Sequence, residues 1–169
     1  MDFDPCWTSE TNPTTEHLEH AAQHRRAAAD HRAASQALRD ADNRACLGIS
    51  EQQRDESPFD HRDDIASVDR LSSPPQGKGG MRHFEGATVV FRAVPGMTSQ
   101  WLQRVLDCHL ARNAALGHDV PEMPYCPLVP KGARATVTAT SDGFAVAIRG
   151  DDEATAREIL RRAEALRTR

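Results

Sequence analysis

A chain of 169 residues has room for one ordinary domain and an appendage, and with 5% aromatic and 27% charged residues its core is modest. A net charge of −4 and a pI near 6.0 argue against nucleic-acid binding, which usually calls for a basic face. No run of about twenty apolar residues exists to cross a membrane as a helix, and the opening "MDFDPCWTSE" shows neither the basic nor the apolar region of a signal peptide.

Charge is unevenly distributed. Residues 1–80 hold 9 Lys+Arg against 15 Asp+Glu, and residues 81–169 hold 12 against 10. The acidic half also carries five of the eight histidines.

In chain order, Asn12 and Pro13 read as the cap and first position of a long alanine-rich helix that runs to about Leu47 and stops at Gly48. "SEQQ" (50–53) is a capping-box pattern for a further turn or two, ended by Pro58. "FDHRDDIASVDRL" reads as a polar loop with a short helical piece. "LSSPPQGKGGMR" (71–82) reads as a linker, because its prolines, glycines and serines suit neither helix nor strand.

The second half has a clearer pattern. "GATVVFRAV" (86–94) is a strand and Pro95-Gly96 a turn. A helix follows, capped by Thr98 or Ser99 and stopped by Gly117. After a proline-stiffened loop, "ARATVTAT" (133–140) and "FAVAIR" (144–149) form a hairpin around Asp142-Gly143. Asp151-Asp152 opens a last helix with Ile159, Leu160, Ala163 and Leu166 at helical spacing. The expectation is therefore an α+β protein: a helical region over 1–70, a linker over 71–82, and a β-α-β-β-α domain over 83–169. That domain would be ferredoxin-like without its last strand.

Two residue sets could bind metal. His17, His20, His24 and His31 fall within about 60° of one another on the first helix, sharing a stripe with Ala28, Ala34 and Leu38. Imidazoles three or four residues apart suit weak Cu²⁺, Ni²⁺ or Zn²⁺ binding. The alternative is a plain helical seam. In the second set, a loop folding back over the domain's first helix would bring Cys126 beside Cys108. If reduced, the two with His109, His118 and Met123 would make a soft site for Cu(I). If oxidised, they would staple a long loop, worth ~3 kcal/mol, and Cys6 could pair with Cys46 in the same way. No catalytic constellation is visible: no Ser–His–Asp spacing, no HExxH, and "GKGG" (77–80) lacks the strand and helix of a phosphate loop.

At "VPGMTSQWL" (94–102) the chain resembles the heavy-metal-associated domain, whose ferredoxin-like fold carries a GMTCxxC loop. Gly96, Met97 and Thr98 match, while Ser99 and Leu102 replace the two metal-binding cysteines, so that site is not implied here. "DHRAASQALRDA" (30–41), "SPFDHRDDI" (57–65) and "DCHLARNAALGHDVPEMPYCPL" (107–128) resemble a bacterial protein family of uncharacterised function, some of whose members carry export signals. That resemblance implies the cell envelope. The functional expectation is binding of a soft or borderline metal, copper first, for carriage or buffering rather than catalysis. The alternative is a disulfide-stabilised structural or interaction protein of the envelope, meeting a protein partner through its long helix.

Overall fold

The computed structural model describes residues 13–75 and 80–167, so the expected cap at Asn12 lies outside the described residues. The chain divides into two compact units, Met1–Ala37 and Leu38–Arg169. Helix α1 (Pro13–Ala45) contributes to both. In the first unit its alanines, glutamates and arginines are strong helix formers, and the described side chains are exposed or half-buried, those of all four histidines being exposed. Its large apolar side chain there, Leu18, is exposed as well.

The second unit starts with the last turns of α1, which end near Gly48 at φ 77°. Helix α2 (Glu51–Asp55) follows, with the expected capping box: Gln53 N–H donates to Ser50 Oγ, and Gln53 Oε1 accepts from Ser50 N–H. Two short 3₁₀ turns (Pro58–Asp60 and Arg62–Asp64) lead into strand β1 (Ile65–Ser72). Strand β2 (Phe84–Arg92), helix α3 (Ser99–Ala115), strands β3 (Arg134–Thr140) and β4 (Gly143–Arg149), and helix α4 (Glu153–Ala165) complete the unit.

The strands form one antiparallel sheet in the order β1-β2-β4-β3. Ala87, Val89 and Phe91 point to one face, level with Val68 on β1 and with Ile148, Val146 and Phe144 on β4. Leu102 and Leu106 of α3, with Ile159 and Ala163 of α4, join them in one core. The other face is mixed, with Thr88 between Asp69 and Ala147, Thr136 beyond, and Val90 paired with Ser67 and Ala145. The β3–β4 hairpin forms as expected. At its corner Gly143 (φ 152°) has no room for a side chain, because a Cβ there would run into the Phe91 carbonyl.

Strand β1 corrects the sequence reading, which makes residues 59–71 a loop with a helical piece and residues 71–82 neither helix nor strand. The apolar residues Ile65, Val68 and Leu71 recur every third position, which mimics a helix. A register shift between Ile65 and Ser67 changes which side chains face the core. The next position in register with the core, opposite Ala87, holds Arg70, an exposed side chain whose guanidinium lies 4.1 Å from the centre of the Phe84 ring. The described residues of 73–83 therefore connect two paired strands, and the sheet has four strands rather than three.

Gln103 of α3 serves the outer edge of the sheet. Its side-chain amide donates to Ala135 O at 3.1 Å and accepts from Val137 N–H at 2.8 Å.

Candidate functional site

Cys46, just past α1, and Cys108, in α3, form a disulfide that closes a separation of 62 residues. The local sequence brings them together. Gly48 turns the chain, Ser50 starts α2, and α2 is held on α3 by two polar links. His109 shares a hydrogen bond of 2.9 Å with Gln53 O, and Arg112 donates to Asp55 at 2.6 Å. Ile49, Val105 and Trp101 pack around the sulfurs. The expected Cys108–Cys126 pair is thereby overturned: Cys108 is bonded to Cys46, and Cys126 is a free, buried thiol. The same bond leaves Cys46 unavailable to Cys6, which lies outside the described residues.

The other expected metal donors go elsewhere. His109 is buried, and desolvation holds its pKa below the ordinary 6.5, so the neutral ring donates Nε2–H to Gln53 O. The loop after α3 does fold back, as a framework of backbone carbonyls held by side chains. His118, at φ 62°, places Nδ1 2.9 Å from Val129 O. Asn113 donates to Leu128 O at 3.1 Å, and Arg162 donates to Met123 O at 3.2 Å. The Met123 side chain packs on the core. Cys126 Sγ accepts from Ser57 Oγ at 3.4 Å, and burial pushes its thiol pKa up. Burial, followed by the hydrogen bond to Asp60, likewise raises Tyr125.

Among the described residues, one group of His, Cys, Asp or Glu side chains brings three ligand atoms within 4.8 Å of one another: Asp42, Cys46 and Cys108. Neither the four helix histidines nor the set Cys108, His109, His118 and Cys126 supplies such a group.

A cleft of about 400 Å³ opens next to the disulfide. The end of β2 and the start of α3 supply its apolar floor through Phe91, Val94, Met97 and Trp101. Glu56, His61 and Asp64, from the segment between α2 and β1, supply charged and polar groups. The matching "GMT" has a structural role here. Gly96 adopts φ 83°, Thr98 Oγ1 caps α3 by accepting from Trp101 N–H at 3.1 Å, and Met97 lines the cleft. Sequence reasoning passes over this cleft because its walls come from three separate segments. The sole local sign is a tryptophan on the first turn of a helix behind an apolar strand. No known protein family, characterised protein or solved structure matches the chain.

Proposed function

We propose that the protein is a non-enzymatic binding module whose cleft at Trp101 takes a small amphipathic cation. The carrying observation is the combination within one cleft of an apolar floor (Val94, Met97, Trp101) with the carboxylates of Glu56 and Asp64. The volume suits a small ligand, the indole face suits a cation, and the carboxylates add opposite charge. The Cys46–Cys108 bond braces the helix that carries Trp101 and favours an oxidising compartment such as the cell envelope. The sheet order supports a ferredoxin-like arrangement in which the edge strand comes first in the chain instead of last.

The test is a titration with 2-phenylethylammonium, followed by Trp101 fluorescence in a Trp7→Phe background. Saturable binding is expected, weakened at least tenfold by Glu56→Gln with Asp64→Asn, and 2-phenylethanol should bind more weakly than the cation. Equal binding of alcohol and cation, or no binding of either, overturns the reading. For soft-metal carriage, the candidate group among the described residues is Asp42, Cys46 and Cys108, whose sulfurs are joined in the disulfide and would bind an ion only after reduction.

A further inference from the structure

The environment of the disulfide holds a feature that stapling does not require. Asp42, one helical turn before Cys46, points a carboxylate oxygen at Cys46 Sγ from 3.1 Å. The carboxylate is largely buried, with 16% of its side chain exposed. A disulfide sulfur carries no proton, so in the oxidised protein this oxygen receives no hydrogen bond from it. The Arg54 partner is loose. One guanidinium nitrogen lies 3.7 Å from the other carboxylate oxygen, and Arg54 Nε is buried with no acceptor. A paired fork would lock the carboxylate in place; this contact leaves it able to turn.

From this geometry we infer a redox-gated divalent metal site in which Asp42, Cys46 and Cys108 bind Zn²⁺ or a similar borderline ion once the disulfide is reduced. The balance is simple. A dithiol reductant supplies two electrons and two protons, the S–S bond breaks, two thiols form, and the reductant becomes a cyclic disulfide. The ion then displaces the two thiol protons and takes two thiolates and one carboxylate. A fourth, open position remains for water or an outside ligand.

Charge explains why an ion would be favoured. In the reduced protein, a carboxylate beside Cys46 opposes formation of its thiolate. A divalent cation reverses that effect by pairing with all three anions. The resulting net charge of −1 faces Arg54, and Arg104 lies close by, its Nη2 donating to Leu47 O at 2.6 Å. The donors come from the end of α1 and the middle of α3, elements packed against one another within the second unit, so two of the three ligands are already fixed on helices. In the oxidised protein the sulfurs hold each other and cannot bind the ion. The disulfide and the metal are alternative occupants of one place. This site uses residues distinct from those that line the Trp101 cleft.

Co²⁺ is the spectroscopic probe, used on the full chain in two forms: air-oxidised, and reduced with a phosphine under argon. The reduced form should take up one equivalent with a thiolate-to-cobalt charge-transfer band in the near ultraviolet, displaced by Zn²⁺. The oxidised form should show no such band. Cys108→Ser should abolish the band, and Asp42→Asn should weaken Co²⁺ at least tenfold. Cys6→Ser should leave it unchanged. Peptide-level alkylation of the reduced wild-type chain gives a readout independent of how the variants fold: Zn²⁺ should slow labelling of Cys46 and Cys108 and not of Cys6. A band of equal strength in the oxidised protein overturns the inference. So does no band in the reduced protein, or Zn²⁺ protection that spares Cys46 and Cys108.

Discussion

Helix α1 has two ends of opposite character. Up to Ala37 its described side chains are exposed or half-buried; beyond Leu38 the same helix leads into a buried cysteine, a buried Ile49 and a covalent bond to α3. Alanine-rich composition builds both ends equally well. What separates them is a few apolar residues placed where the helix stops. Helix propensity therefore decides that the segment is helical, and packing decides which part of it belongs to a folded unit.

The largest test of that contrast is removal of the staple. Cys46→Ala with Cys108→Ala should cost roughly 4 kcal/mol by loop closure over this separation, measured by urea unfolding. Amide hydrogen exchange over residues 14–36 should be unchanged, since no described side chain there is buried. A loss below about 1 kcal/mol would mean that the unfolded chain keeps these two segments close even without the bond.

A smaller effect should come from acid. The unfolded chain protonates His109 at its ordinary value, 6.5, whereas the folded chain resists the proton because the ring is buried. The unfolded state therefore binds more protons as the pH falls below that value, and stability drops. The slope is at most about 1.4 kcal/mol per pH unit for one proton. His109→Gln, which can still donate to Gln53 O, should flatten the dependence. A wild-type profile that stays flat from pH 7 to pH 5 would remove His109 from the account.

The smallest effect belongs to the other end of the helix. His20→Ala with His24→Ala should change the unfolding free energy by less than about 0.5 kcal/mol, because both rings are exposed. A larger loss would show that the stripe meets something in solution.

Local chemistry was the legible part of the fold. Ser50, Thr98 and Asp152 cap the helices they are expected to begin, and each does so by accepting a nearby backbone N–H. The β3–β4 hairpin follows from its glycine and its alternation. Strand β1 was hidden because a register shift breaks its period and an exposed arginine stands at the position opposite Ala87. The cysteine pairing was hidden for a different reason. Cys108 lies closer in sequence to Cys126, but the partner is chosen by which elements pack, and α2 draws the end of α1 onto α3. The Trp101 cleft depends on three segments meeting, which no local pattern records.

The two hydrogen bonds of Gln103 bear on how the molecule meets its own copies. A strand at the rim of a sheet offers unpaired amides and carbonyls that another chain's strand can adopt. From Ala135 to Thr140, β3 carries no charged side chain to discourage this. One side-chain amide, donating to Ala135 and accepting from Val137, occupies that rim as a single peptide group of a neighbouring strand would. Gln103 is in that sense a one-residue imitation of a fifth strand, and it removes one carbonyl and one amide of the rim from those a real strand could pair with.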